Sequence, residues 1–171
     1  MSIARRQTRP ELPTLETLRE FFILDAETGT LVWRKSRGTA AAGSRAGCVC
    51  VKERRAAVRF NNYLWPVARI IWCMHTGAWP VGEVDHINGD SLDNRPSNLR
   101  DVPPFVNKQN HHVAYANSRV GLMGVHERNG RFIGKITRHG KTTYVGTFDT
   151  PEEAHAAYVN AKRLIHEGCA I

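Results

Sequence analysis

The sequence predicts an α+β fold in which short strands and helices alternate along 171 residues. Three observations lead to this prediction. An amphipathic helix is predicted at residues 63–75, a strand, loop, strand and helix fill residues 81–116, and three strand-like runs precede a helix that begins after Thr150. We therefore expect an N-terminal basic α/β region at residues 1–80, a core at 81–116 and a C-terminal region at 117–171.

The N-terminal region contains two predicted helices with short strands between them. The first runs from Pro13 to Phe22, because Thr14 is a suitable N-cap and apolar residues follow at helical spacing. The second, at residues 63–75, has Pro66 in its first turn, an apolar stripe and a stop signal at Gly77. The predicted strands lie at residues 31–33, 48–52 and 56–60.

The middle and C-terminal regions follow two different patterns. "VDHINGD" predicts a strand at residues 81–88 that turns at Asn88-Gly89, followed by a polar loop. The middle region then continues with a strand at 99–102 and a helix at 105–116. The C-terminal strands are predicted at 124–127, 131–138 and 142–148, and Thr150, Pro151 and two glutamates begin the last helix.

The charge distribution predicts a polyanionic partner. The chain carries 24 basic and 16 acidic residues, a net charge of +8 and a pI near 9.7. Counting along the chain gives 13 basic and 7 acidic residues up to Val84, 3 and 4 from Asp85 to Ala116, and 8 and 5 thereafter. Two basic flanks around a slightly acidic centre would suit a nuclease that holds both a phosphodiester and a cation.

Two further features bear on location. We see no signal peptide and no apolar span, and the four cysteines have no paired CxxC spacing, so reduced thiols are the simplest account. We expect an intracellular protein that is not secreted, in the bacterial host cytoplasm if a phage encodes it.

The central segment combines residues that, taken one at a time, are weak evidence for an active site. An adjacent Asp85 and His86 is commonly a surface pair, and Asn88-Gly89 is commonly a plain turn. Asn98 follows the histidine by 12 residues, and Asn107 follows Asn98 by 9. Neighbouring strand residues point to opposite faces, so Asp85 and His86 can share a site only if the strand twists or ends at that turn.

The stretch "VDHINGDSLDNRPSNLRDVPPFVNKQN" resembles the HNH, or His-Me finger, endonucleases, most closely the phage and intron-homing subgroup. The resemblance implies a ββα-metal core that hydrolyses a DNA phosphodiester with one divalent cation. It assigns His86 as general base and Asn98 as the residue that pins the loop and the histidine. Asp85 and Asn107 become ligands of Mg²⁺ or Mn²⁺, which prefer such hard oxygen donors.

Other residues around this motif are candidates for the same site. A backbone carbonyl held by Asn98 is the expected acceptor for the second ring nitrogen of His86. His111 could approach the ion or a phosphate, although a surface pair with His112 is the plainer interpretation. The candidate phosphate contacts, which could equally be solvated charges, are Arg69, Arg95, Arg100 and Lys108.

The C-terminal stretch "GVHERNGRFIGKITRHGKTTYVGTFDTPEEAHAAYVNAKRL" resembles the AP2/ERF DNA-binding domain. That family docks a three-stranded sheet in the major groove and covers its other face with a helix. Strand alternation, with Ile136 packed on the helix, directs Arg131 and Lys135 toward DNA. The further candidate contacts are Arg128, Arg138, Lys141 and Thr143.

These patterns lead to three hypotheses about function. The first is a site-recognising DNA endonuclease, a nickase of the phage or homing type that acts on double-stranded DNA as a monomer or weak dimer, with no membrane partner. The alternative is a DNA-binding regulator that has an inactive nuclease core. The third is an RNA-binding or ribosome-associated basic protein, which would bind RNA more tightly than duplex DNA.

Overall fold

The computed structural model describes residues 11–50, 54–111, 113–114 and 118–170, which form two compact units. The described residues up to His86, together with Asp90–Arg100, belong to the first unit. Ile87–Gly89 and the described residues from Asp101 onward belong to the second. The three regions expected from the sequence stay a prediction.

The described part of the first unit consists of helices and short strands. The elements are α1 (Leu15–Phe21), β1 (Phe22–Asp25), β2 (Thr30–Trp33), β3 (Cys48–Cys50), β4 (Arg55–Phe60), β5 (Tyr63–Pro66), α2 (Val67–Thr76), β6 (Glu83–His86), a 3₁₀ turn (Pro96–Asn98) and β7 (Leu99–Val102). β1 pairs antiparallel with β2, and β3-β4-β5 form a three-stranded antiparallel sheet. β6 pairs with β7, whose last two residues fall in the second unit.

The first helix begins where the sequence predicts it. The side chain of Thr14 accepts a hydrogen bond from the backbone N–H of Thr17, which satisfies one of the N–H groups left open at the helix start. The helix ends one residue early because Phe22 opens β1 and pairs with Trp33 of β2. The strand β1 was not predicted from the sequence.

The helix predicted from Tyr63 is wrong over its first four residues. Asn61 and Asn62 both have positive φ, 49° and 61°, and form the tight turn that joins β4 to β5. Trp65 secures this hairpin, since its indole N–H donates to the Phe60 carbonyl at 3.0 Å. Helix α2 therefore starts only after Pro66.

The core of the first unit is aromatic and aliphatic. Phe22, Phe60, Ile70 and Ile71 are each fully buried, and the rings of Phe22 and Phe60 lie 5.2 Å apart edge to face. Each such side chain contributes about 1.5–3 kcal/mol to the free energy of folding. This core supports α2, whose C-terminal end leads through Gly77 into the strand that carries the candidate site.

The second unit contains a short helix, a three-stranded antiparallel sheet and a long final helix. The short helix α3 (Pro104–Gln109) ends at Gln109, so the prediction that it continues to residue 116 is wrong, although residues 112 and 115–117 lie outside the described residues. Asn110 caps it, and the Asn110 amide donates to the Ile87 carbonyl at 3.3 Å. The elements are α3 (Pro104–Gln109), β8 (Val125–Arg128), β9 (Arg131–Arg138), β10 (Lys141–Phe148) and α4 (Pro151–Ile165).

The C-terminal sheet and helix occur where the sequence predicts them. The strand order is β10-β9-β8, and Thr150 and Glu153 form a reciprocal capping box at the start of α4. α4 packs closely on β9, since a Cβ on Gly134 would lie 3.2 Å from the Ala154 carbonyl oxygen, and Ile136 is 2% exposed. On the opposite face, which we call open, the described side chains of Arg131, Lys135 and Thr137 are exposed.

Candidate active site

Asp85 is held at the end of β6 by an ion pair with the neighbouring strand. Its carboxylate is buried, at 5% exposure for the whole residue. The Nε of Arg100 on β7 donates to Asp85 Oδ2 at 2.8 Å. Arg100 was expected to contact a phosphate, but in the structure its guanidinium binds this carboxylate.

His86, the next residue, is oriented by a buried asparagine in the following loop. Its Nε2 lies 3.0 Å from the side-chain oxygen of Asn94, which is 2% exposed. The amide nitrogen of Asn94 donates to the Leu92 carbonyl at 3.4 Å, which fixes the amide with its oxygen toward the ring. An acceptor at Nε2 requires hydrogen on that nitrogen, so the neutral imidazole carries its lone pair on Nδ1.

Asn98 supports the orientation of His86 indirectly, through the backbone of the loop that carries Asn94. Its side chain is buried in the 3₁₀ turn and donates to the Asp93 carbonyl at 2.8 Å. That carbonyl belongs to the peptide group joining Asp93 to Asn94, so Asn98 fixes the backbone from which Asn94 reaches the histidine. The acceptor that holds Nε2 is thus a side chain, and not the backbone carbonyl expected from the sequence.

The loop that carries Asn94 packs against the turn between β1 and β2. Gly29 in that turn has a φ of 67°, and a Cβ there would lie 2.3 Å from the backbone nitrogen of Arg95 and 2.4 Å from the Asn94 carbonyl carbon. The hydroxyl of Ser91 donates to the Arg54 carbonyl. Close backbone contact on one side and a hydrogen bond on the other therefore hold the loop.

Two other arginines proposed as phosphate contacts also have intramolecular partners. Arg69 on α2 donates to the carbonyls of Gly82 and Pro80 at 3.0 and 3.2 Å, which fixes the turn before β6. Arg95 forms a bidentate pair with Asp93, at 2.7 and 2.6 Å, in an exposed position. The side-chain hydrogen bond to Asp93 raises the pKa of Arg95 above its ordinary value.

Asn107 and Lys108 lie on α3 in the second unit. The convergence of Asn107 with Asp85 and His86 stays a prediction. Among the described residues there is no group of three or more histidine, cysteine, aspartate or glutamate side chains that could hold a metal ion. A carboxylate and a carboxamide would nevertheless suit Mg²⁺ as hard oxygen donors. His111 is exposed just past α3, and His112 lies outside the described residues.

The comparison with protein families is decisive for this part of the chain. A model of the HNH endonuclease family matches residues 66–113. Residues 66–113 form an HNH endonuclease domain. The match confirms the HNH resemblance, and it indicates a hydrolytic nuclease that acts on DNA and belongs to a class that generally uses a divalent metal. No curated protein and no solved structure is significantly similar to the chain.

One residue of the HNH domain that contacts His86, Asn94, was not predicted from the sequence. It stands eight residues after His86 in "LDNRPSN", a stretch interpreted only as a polar loop. Burial of an amide inside a polar loop has no periodic pattern that could have revealed it.

Outside the HNH domain, the open face of the C-terminal sheet is basic and partly aromatic. Directly paired antiparallel residues share a face, and Arg128 pairs with Arg131, Ile133 with His126, and Lys135 with Tyr144. Tyr144 is 60% exposed. Arg131 forms an exposed ion pair with Asp149 at 2.9 Å. The residues of this surface, which we call the open sheet face, are His126, Arg128, Arg131, Ile133, Lys135, Thr137, Thr142, Tyr144 and Thr147.

Three candidate DNA contacts lie on the opposite side of the sheet. Arg138 pairs with Lys141, and Thr143 pairs with Ile136, so all three candidates share the face on which Ile136 is buried. Arg138 also forms an ion pair with Glu167, at 2.5 Å, beyond the end of α4. The open sheet face therefore includes Arg128, Arg131 and Lys135 but not Arg138, Lys141 or Thr143.

A cavity of about 780 Å³ in the second unit adjoins the open sheet face. Its lining includes Lys108 from the HNH domain, and Arg128 and Lys135 from the sheet. Positive side chains thus continue from α3 to the sheet. None of the described helices is long and apolar enough to cross a membrane.

Proposed function

We propose that the protein is a DNA endonuclease of the phage or homing type, which nicks double-stranded DNA at a recognised site. His86 is the general base in this proposal. The observation that carries the proposal is the hydrogen bond from His86 Nε2 to the buried side chain of Asn94, inside the segment that matches the HNH family.

The proposed role of His86 follows from its tautomer. Nδ1 carries the lone pair and accepts a proton from the attacking water, while Nε2–H stays directed at Asn94. When the ring becomes charged, the Asn94 oxygen stabilises the imidazolium, because the dipole of the amide points its negative end at the donor. A positioned base of this kind typically contributes about 10²–10⁴ to the rate.

Asp85 and Asn107 are the proposed ligands of one Mg²⁺ or Mn²⁺ ion. These oxygen donors would hold the ion, which when bound would offset negative charge at the phosphate and at the leaving oxygen. Arg100 holds the Asp85 carboxylate in a fixed orientation, so the carboxylate would be shared between the guanidinium and the cation. With one metal and one base, the enzyme cuts one strand per visit and needs no more than a monomer or weak dimer.

The open sheet face is the proposed DNA-recognition surface, in the manner of the AP2/ERF domains that the sequence resembles. Its arginines, Arg128 and Arg131, have the planar donor groups that read guanine edges in the major groove. Lys135 neutralises phosphate, and the basic cavity beside it extends the contact toward Lys108 of the HNH domain.

A supercoiled plasmid assay tests the proposal. The wild-type chain should convert the plasmid to the nicked circle in Mg²⁺ and leave it intact in EDTA. His86→Ala should bind DNA as the wild type does and lose about 10²–10⁴ of the nicking rate. His75→Ala, which alters an exposed histidine near the end of α2, is the matched control. Normal nicking by His86→Ala in Mg²⁺ would refute the role of His86.

A second candidate function, a DNA-binding regulator with an inactive nuclease core, is favoured by one observation. The negative charge of Asp85 is already paired with Arg100 in the structure. A regulator of this kind would shift duplex DNA in a gel but would leave plasmids intact in both Mg²⁺ and Mn²⁺.

A further inference from the structure

Helix α3, which carries Asn107, is too short to be stable alone. It has six residues, its N-cap residue is Pro103, and no side chain forms a capping hydrogen bond there. Isolated helices shorter than about 12–15 residues are marginal in water, because one stabilising bond per added residue does not offset the cost of the first turn. The conformation of α3 must therefore depend on tertiary contacts.

One of these contacts comes from Lys162 in the last turn of the final helix. Lys162 is 2% exposed, and its Nζ donates to the His111 carbonyl at 2.5 Å, two residues beyond the end of α3. A buried ammonium is unfavourable unless an acceptor satisfies it. Desolvation accordingly lowers the pKa of Lys162 below the ordinary lysine value. Breaking this contact would leave the ammonium buried without this acceptor.

A second contact comes from Gly168, just beyond α4. Its backbone N–H donates to the side-chain oxygen of Gln109, the last residue of α3, at 3.1 Å in a buried position. A Cβ on Gly168 would lie 2.1 Å from the Val106 carbonyl oxygen. The φ of Gly168 lies outside the left-handed range. Glycine is therefore required here by the close contact with Val106 and not by the backbone conformation.

We propose that the C-terminal part of the chain is a positioning element of the nuclease, in which Lys162 and Gly168 hold α3 and thereby Asn107. This proposal rests on the proposed function for its catalytic consequence, but not for its structural part. The sequence resemblance assigns the final helix to a DNA-binding domain alone. The contacts give that helix a second role, in which Lys162 and Gly168 touch neither DNA nor the reacting atoms.

Hydrogen exchange on the full chain tests the structural part without requiring cleavage. In Lys162→Met and Gly168→Ala, the amides of residues 105–111 should exchange at least about tenfold faster than in the wild type, while those of β9 keep their protection. Lys35→Met makes the same change at an exposed lysine of the first unit and should alter neither segment. Unchanged exchange in α3, or an equal loss of protection in β9, would overturn the proposal.

DNA binding and nicking by the same variants test the functional part. Gel-shift affinity in EDTA should stay within about twofold of the wild type, and nicking in Mg²⁺ should fall about tenfold or more, with partial recovery at higher Mg²⁺. Wild-type nicking in a variant whose α3 has lost protection would overturn the positioning role. If the wild type itself does not nick DNA, the exchange result still decides the contact, and only the proposed function fails.

Discussion

Two nitrogen atoms of the Arg100 guanidinium, Nε and Nη2, each lie 2.8 Å from the same oxygen of Asp85, Oδ2. The carboxylate side chain is 6% exposed and the arginine side chain 25%. The structure therefore already holds a cation against the proposed metal ligand. Either this pair keeps the carboxylate in position for a metal, or it occupies the place that a metal would take.

Removing the guanidinium should make the domain depend on divalent cations. Arg100→Gln deprives a buried carboxylate of this ion pair, so in EDTA the free energy of unfolding should fall by up to about 3 kcal/mol. Millimolar Mg²⁺ should restore more of the melting temperature in this variant than it adds to the wild type. Arg95→Gln, which breaks an exposed pair, should cost less than about 1 kcal/mol and show no such recovery. An equal Mg²⁺ effect in both variants would argue against Asp85 as a ligand.

Asn94 should matter for cleavage and not for DNA affinity. Asn94→Ala removes the acceptor at His86 Nε2, and nicking should fall about 10–100-fold, as is common when the partner that orients a functional histidine is lost. Asn94→Asp keeps an oxygen at that position and should retain most of the rate. ¹⁵N NMR should show the Nε2–H tautomer of His86 in the wild type and a mixture in Asn94→Ala. Wild-type nicking by the alanine variant would remove Asn94 from the site.

The two faces of the C-terminal sheet should differ in their contribution to DNA binding. Lys135→Ala should weaken duplex binding in EDTA and lower the slope of log K against log salt by about 1, the value for one lost phosphate contact. Lys141→Ala tests the other face, and its slope should match that of the wild type. Equal losses from both variants would show that the open sheet face is not the contact surface.

Acid should destabilise the second unit through His166. Its Nε2 lies 3.0 Å from the Thr137 carbonyl, its Nδ1 is buried with no hydrogen-bond partner within the described residues, and burial lowers its pKa. Lys162 and Arg138 nearby lower it further. The unfolded chain thus binds the proton at a higher pH than the folded one. Stability should fall as the pH drops below about 6.5, the ordinary histidine value.

The measurement for this prediction is thermal unfolding from about pH 7.5 to pH 5. His166→Gln can keep a donor toward the Thr137 carbonyl but cannot titrate, so its melting temperature should change less over this range. A wild-type curve as flat as that of the variant would contradict the prediction.

Local signals predicted much of the fold. Thr14 and Thr150 begin helices because their hydroxyls accept backbone hydrogen bonds, and such caps are visible in sequence. The strand β5 was mistaken for helix because the four residues Tyr63–Pro66 are too few to distinguish the apolar repeat of a helix from that of a strand. The turn at Asn61 and Asn62 makes Tyr63–Pro66 a strand, because it pairs β5 with β4. Both asparagines adopt left-handed backbone conformations, which a pattern of apolar residues does not reveal.

The candidate site was predictable only in part. Asp85, His86 and Asn98 were proposed because their spacing follows a family pattern, and all three lie within the segment that matches the HNH family. Their roles stay predictions. The partners that orient them were not predicted, because Arg100 reaches Asp85 across 15 residues and Asn94 is buried in a loop of polar composition. Pairings of this kind arise from tertiary packing, which leaves no periodic trace in the chain.

The contact between Gly29 and the backbone of Asn94 and Arg95 sets the smallest fragment that can work. The family match begins at residue 66, yet a piece of chain starting there would lack the β1–β2 turn on which the histidine's orienting loop rests. Such a fragment would keep every residue of the motif but lose the turn that packs against the loop carrying Asn94. The minimal nuclease of this protein therefore extends well upstream of its recognisable signature.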